Sequence, residues 1–100
     1  VRWTGFYQAI ATTNYFCTYS DDGIRMWLNG TLIINNFTDH GPTWNCSGNI
    51  GLTIGTKYTI VVEFYENGGG AEAHVTRSSA SAAAAQNLAN AIPQVQLYPY

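Results

Sequence analysis

The sequence predicts an all-β chain folded as an antiparallel β-sandwich, and three observations carry that prediction. Apolar and polar residues alternate with a period of two along most of the chain. Turn residues interrupt the alternating runs at short intervals, which divides the chain into about seven strands. Its 100 residues suffice for one modest core and no second one, so 1–100 is expected to be a single domain.

The elements follow in chain order. The first residues, Val1-Arg2-Trp3-Thr4-Gly5, open directly into a strand-like pattern without an initiator Met, so the chain reads as a module of a longer secreted or surface protein. Residues 14–20 form the next strand, and Asp21-Asp22-Gly23 ends it. Ile24, Met26 and Leu28 then alternate with Arg25, Trp27 and Asn29, and Asn29-Gly30 is a two-residue hairpin signal. Residues 35–47 are polar, carry Gly41 and Pro42, and lack alternation, so they read as a long loop holding His40 and Trp44. Ile50, Leu52 and Ile54 alternate again, and Ile54-Gly55-Thr56 turns the chain into Tyr58-Thr59-Ile60-Val61-Val62-Glu63-Phe64, whose even positions share one face. The buried set expected from these patterns is Phe16, Ile24, Met26, Leu28, Ile50, Leu52, Tyr58, Ile60, Val62 and Phe64. After Arg77 the chain becomes Ala-rich through residue 91; this insertion reads equally as a short helix capped by Ser79 or Ser81, or as a loop. Ile92 to Pro99 is extended, with prolines suited to an edge segment.

Composition excludes several classes. A net charge of −2 with only Arg2, Arg25, Lys57 and Arg77 as basic residues makes no stripe for phosphates, so nucleic acid is not an expected partner. No apolar run approaches the roughly 20 residues of a bilayer span. The two histidines, His40 and His74, have no Glu or Cys at metal-ligand spacing, and no nucleophile elbow or phosphate loop occurs, which points away from an enzyme. Cys17 and Cys46 are either one disulfide or two unrelated buried thiols, and sequons begin at Asn29, Asn36 and Asn45. Together they favour an extracellular or cell-surface location with a disulfide and N-linked glycans.

Asp21 and Asp22 are the one adjacent pair of carboxylates. Taken as residues alone, Asp-Asp-Gly reads first as a tight turn, and Glu66-Asn67-Gly68-Gly69-Gly70 as a hairpin loop. A second reading resolves the repulsion with a hard cation: calcium takes six to eight oxygens, and Asn67 offers an amide oxygen while the glycines let carbonyls turn toward an ion.

The strings Trp3-Thr4-Gly5, Ser20-Asp21-Asp22-Gly23-Ile24-Arg25-Met26-Trp27-Leu28-Asn29-Gly30, Asp39-His40-Gly41-Pro42 and Val62-Glu63-Phe64-Tyr65-Glu66-Asn67-Gly68-Gly69-Gly70-Ala71 resemble the PA14 domain. The resemblance implies a β-sandwich used for carbohydrate or cell-surface recognition. It implies a cis peptide between Asp21 and Asp22, and a Ca2+ held by Asp21, Asp22, Asn67 and carbonyls near Gly69 and Gly70, with the ion accepting sugar hydroxyls. The family's domain begins before the Trp-Thr-Gly segment, so an open sheet edge is also expected. Two functions follow as expectations. The first is a calcium-dependent carbohydrate-binding module, lectin- or adhesin-like, with a glycan or cell-surface carbohydrate as partner. The second is a non-catalytic structural or assembly module of an extracellular multi-domain protein or filament, with neighbouring chains as partners. Trp44 is the aromatic expected to stack on a sugar beside the ion; Trp27 and Tyr65 are expected to pack within the strands.

Overall fold

The computed structural model describes residues 2–65, 72–88 and 97–99. It contains β1 (Arg2–Gln8), β2 (Thr13–Asp21), β3 (Ile24–Leu28), β4 (Thr31–Asn36), β5 (Thr43–Cys46), β6 (Ile50–Gly51), β7 (Lys57–Phe64), β8 (Glu72–Ser78), one helical turn α1 (Ala82–Ala85) and β9 (Leu97–Pro99). All pairings given for these strands are antiparallel. One sheet has the order β4-β3-β7-β1-β9; in the other, β2 is flanked by β8 along one side and by β5 and then β6 along the other.

The two inner faces close a shared core. Ile24, Met26 and Leu28 of β3 and Ile60, Val62 and Phe64 of β7 are buried at every second position, and they meet Phe16 of β2 and Val75 of β8. Seven of the ten residues expected to be buried are so: Phe16, Ile24, Met26, Leu28, Ile60, Val62 and Phe64. Ile50, Leu52 and Tyr58 pack against the core while keeping partial exposure. The inner face of β2 is mostly polar: Asn14, Thr18 and Ser20 have 0% exposure. Asn14 Oδ1 accepts from Tyr7 Oη at 3.3 Å and from Arg77 Nε at 2.6 Å, and its Nδ2 donates to the Ala11 carbonyl at 3.0 Å. A buried amide that binds at both ends stabilises the core instead of weakening it.

Turn chemistry behaves as the residues require. Asn29 and Gly30 have φ of 51° and 82°, the left-handed pair that a two-residue hairpin between twisted strands demands. In the Ala-rich stretch the helix reading holds over one turn, with Ser81 Oγ accepting from the Ala84 amide at 3.0 Å as its cap. The turn lies on the outer face of β2 and β8, where Thr76 Oγ1 donates to the Ala85 carbonyl at 2.6 Å.

Two expectations are corrected. Residues 43–46 are a strand, not part of a long loop: Cys46, Asn45, Trp44 and Thr43 pair with Cys17, Thr18, Tyr19 and Ser20. All four are half-buried, so no alternation marks them. Ile54 belongs to no strand and is 60% exposed, because the chain turns at residues 53–56, where the Thr56 amide donates to the Thr53 carbonyl at 3.2 Å. β1 pairs with β7 from Arg2 to Gln8 and with β9 from Trp3 to Gly5, and this sheet ends on β4 and β9.

Candidate functional site

Topology gathers the C-terminal ends of β2, β4 and β7 with the N-terminal ends of β3, β5 and β8. Asp21, Asp22 and Gly23 make the turn from β2 to β3, and the peptide between Asp21 and Asp22 is cis. The backbone of this turn is held by three hydrogen bonds. The Asp22 amide donates to the Tyr65 carbonyl at 3.2 Å, the Tyr65 amide donates to the Gly23 carbonyl at 3.0 Å, and Ser20 Oγ donates to the Asp22 carbonyl at 3.0 Å. On its other side Asp21 pairs with Glu72.

Tyr65 is the hub. Its ring lies edge-on to Phe37 at 4.7 Å and its hydroxyl donates to Asp39 Oδ1 at 2.7 Å, which ties the β4–β5 loop to the aspartate turn. Gly23 makes that contact geometrically feasible. A Cβ there would run into the Tyr65 ring, and would lie 2.8 Å from the Thr38 nitrogen and 2.9 Å from the Phe37 carbonyl carbon. The cluster concentrates negative charge. The hydrogen bond to Asp39, then burial, then the charges of Asp39 and Asp22 push the Tyr65 hydroxyl from 10.0 up to about 12. Because this raises the folded-state value, the stability it contributes is present in full below pH 10.0 and is lost as pH climbs through about 12. Asp39→Asn is expected to return the Tyr65 titration toward 10.0. A 13C-tyrosine NMR titration reads the change, and an unmoved Tyr65 curve would remove Asp39 as its main cause.

The residues singled out from sequence are distributed as follows. Asp21 and Asp22 sit together in the cluster, Asp22 buried and Asp21 half-buried. Asn67, Gly69 and Gly70 lie outside the described residues; Tyr65 and Glu72, which bracket that segment, bond and pair to Asp22 and Asp21 respectively. Two carboxylates supply hard oxygen donors of the kind calcium takes. Among the described residues no three His, Cys, Asp or Glu side chains converge on one ion.

Trp44 is not the loop aromatic expected. It stands in β5 opposite Tyr19, the ring centroids 4.9 Å apart, and His74 flanks Tyr19 from β8 at 6.3 Å. Tyr65 and Phe37 are the aromatics beside the aspartates. Trp27 packs in β3, with the Arg25 guanidinium 5.5 Å from its ring centroid. His40 orders its own loop, with Nδ1 2.7 Å from the Gly41 carbonyl.

Cys17 and Cys46 form a disulfide between directly opposed residues, with Cα atoms 4.1 Å apart. Of the sequon asparagines, Asn29 is exposed in its hairpin turn. Asn36 donates through Nδ2 to Asn45 Oδ1 at 3.2 Å. The Asn45 Nδ2, to which a glycan would attach, is buried.

Comparison with known proteins places this fold in context. The PA14 domain profile matches residues 1–89. The anti-sigma-I factor RsgI3 of Acetivibrio thermocellus is 37% identical over 99% of this chain, which spans 15% of that protein's length. A solved anti-sigma factor domain-containing protein is 36% identical with a TM-score of 0.81, over 99% of this chain and 33% of the other. A structure described as the PA14 sugar-binding domain from an RTX adhesin has a TM-score of 0.64 at 24% identity, over 77% of this chain and 44% of the other. That likeness speaks to fold alone. These findings overturn the expected lectin- or adhesin-like function, and the assembly module set beside it: the similarity that extends over 99% of the chain is to an anti-sigma-I factor and to an anti-sigma factor domain-containing protein. What the resemblance in the sequence did establish stands, and the chain belongs to the PA14 domain family.

Proposed function

We propose that this PA14 domain is the sensing module of an anti-sigma factor. It would face the cell exterior, do no chemistry of its own, and convert ligand binding at its loop cluster into a signal for the remainder of the protein. The observation that carries this reading is 37% identity to an anti-sigma-I factor across 99% of the chain. The architecture suits the role. Loops from three strand connections are tied to one another through Tyr65, so a ligand that moves one of them moves the others, while the sheets beneath stay fixed by the core.

Within the module, Asp21 and Asp22 are proposed as carboxylate ligands of a structural Ca2+. Bound there, the ion would screen the two aspartates from each other and fix the turn. Calorimetric titration of the domain with CaCl2 tests this: Asp22→Asn should weaken binding at least tenfold, and an aspartate pair that takes up no calcium ends the assignment.

The sensing role is tested in the parent protein. Excision of residues 1–100 should abolish the response of a promoter driven by the cognate sigma factor to external ligands, while basal repression persists. A response that survives the excision would refute the proposal.

A further inference from the structure

At the end of the sandwich opposite the aspartate cluster, where β1 ends and β2 and β7 begin, stand the two most exposed large apolar side chains of the described residues. Ile10, in the β1–β2 loop, is 71% exposed, and Ile54, in the β6–β7 loop, is 60% exposed. The two loops are tied together. The Ala9 amide donates to the Thr56 carbonyl at 3.0 Å, the Gly55 amide to the Ala9 carbonyl at 2.8 Å, and the Leu52 amide to the Thr12 carbonyl at 3.1 Å. Gln8 Nε2 donates to the Gly55 carbonyl at 3.1 Å, and the Thr53 amide to Tyr58 Oη at 2.9 Å. Both isoleucines are thus held outward on ordered backbone. Phe6, 57% exposed, shares an outer strand face with Gln8 and Lys57 beside them. Single exposed apolar residues are ordinary on a surface, but three gathered at one end make a patch of the kind that marks an interaction surface.

Charge is segregated in the same direction. Residues 8–13 and 52–56 carry none, and exposed Lys57 follows directly. Arg77 turns inward, its Nε donating to Asn14 Oδ1 at 2.6 Å. The described carboxylates lie elsewhere: Asp21, Asp22, Asp39 and Glu72 belong to the aspartate cluster, and Glu63 stands near the far end of β7. The stretch of β7 from Lys57 to Glu63 spans roughly 20 Å, and charges are screened over about 10 Å at 0.1 M salt. A surface approaching this tip therefore meets Lys57 without opposition from a described carboxylate.

Two protruding loops with apolar points, exposed threonines at 12, 53 and 56 around them and a lysine at the shoulder match the layered order of a bilayer surface. Apolar side chains enter the acyl boundary, hydroxyls meet the headgroups, and a lysine stem carries its ammonium to an anionic phosphate. A second copy seated on the tip in a two-fold contact would instead bring two Lys57 side chains together with no described carboxylate in reach. We propose that this end of the domain docks peripherally on an anionic lipid surface, with Ile10 and Ile54 entering the acyl boundary, Phe6 at headgroup level and Lys57 on lipid phosphates. The aspartate cluster then faces away from the membrane, open to ligands. That consequence rests on the sensing role; lipid binding does not.

The experiment is flotation of the protein with vesicles of phosphatidylglycerol and phosphatidylcholine in equal parts, repeated with phosphatidylcholine alone. Binding to the neutral vesicles should be about fivefold weaker, as should binding of Lys57→Gln to the anionic ones, the effect of one basic residue at an anionic surface. Ile10→Ser with Ile54→Ser should bind at least tenfold more weakly, whereas Leu88→Ser, which removes an apolar side chain 46% exposed beyond α1, should bind as the parent does. In the 15N NMR spectrum of the unaltered protein, nitroxide-labelled lipid should broaden Ile10, Gly55 and Lys57 and spare Gly23. A parent that does not float overturns the proposal, as does a paired serine variant that floats equally well or broadening centred on Gly23. Self-association in sedimentation velocity that the paired serine variant abolishes, without flotation, would give the tip to a second copy and overturn it too. Flotation together with a promoter response that survives excision of residues 1–100 would remove the sensing role and leave the docking tip; a response lost on excision, with no flotation, would remove the tip alone.

Discussion

Gly23→Ala is expected to destabilise the domain by about 3 kcal/mol, the upper part of the range for overpacking a filled site. The added methyl would meet the Tyr65 ring, the Thr38 nitrogen at 2.8 Å and the Phe37 carbonyl carbon at 2.9 Å. A side-chain tip can swing away, but two of these three atoms are backbone, and the loop that carries them is bound to Tyr65 through Asp39. The turn or the loop must therefore give way. Either shift parts Tyr65 from Asp39, so the Tyr65 hydroxyl should titrate nearer 10.0 than about 12. Gly41→Ala and Gly48→Ala are the controls, since a Cβ at either position meets nothing within 4 Å; each should stay within about 0.5 kcal/mol of the parent. Urea denaturation with the 13C-tyrosine titration measures both effects. A Gly23→Ala protein as stable as the controls would mean that the aspartate turn and the β4–β5 loop are not packed against each other.

What was legible in the sequence, and what was not, divides along the same physical line. The inward residues of β3 and β7 could be read because each strand has one buried and one half-exposed face, and a period of two records that directly. β5 could not, because all four of its residues are half-buried and the disulfide and pairing to β2 hold it in place. Ile54 alternates in sequence but follows the point where the chain leaves the sheet, so periodicity alone misplaced it. In the candidate site the aspartate pair was visible from adjacency. Asp39 and Phe37 were not, since Tyr65, the partner of Asp39, stands 26 positions away. Gly23 was visible as a turn residue, but its tighter constraint is a ring 42 positions further along, and no local pattern encodes that. The role was hardest of all. A recognition fold carries no mark of whether binding serves adhesion or signalling, since that depends on the polypeptide to which it is joined.

Loss of the Cys17–Cys46 bond is expected to lower stability by about 3–4 kcal/mol, the chain-entropy value for a closed loop of this size; the two cysteines are 29 positions apart. For a domain whose whole stability lies in the range of about 5–15 kcal/mol, that is a large share. The location of the bond adds to the effect. Cys17 has 0% exposure, and the turn α1 lies over the bridge, with the Ala82 carbonyl oxygen 3.5 Å from Cys17 Sγ and Gln86 Nε2 donating to Cys46 Sγ at 3.5 Å. Cys17→Ala with Cys46→Ala should therefore unfold at lower urea concentration. Protection from hydrogen exchange should fall first in β5 and α1, while β3 and β7, held by the apolar core, keep theirs. The neighbouring contacts that survive, the Ser47 amide to the Phe16 carbonyl at 2.8 Å and the Phe16 amide to Ser47 Oγ at 3.1 Å, anchor the end of β5 but not its length. A bond on which the domain depends this heavily requires an oxidising compartment, which agrees with the proposed position outside the cell. If the double alanine variant unfolds at the same urea concentration as the parent, the bond is dispensable, and that link between redox environment and location is lost.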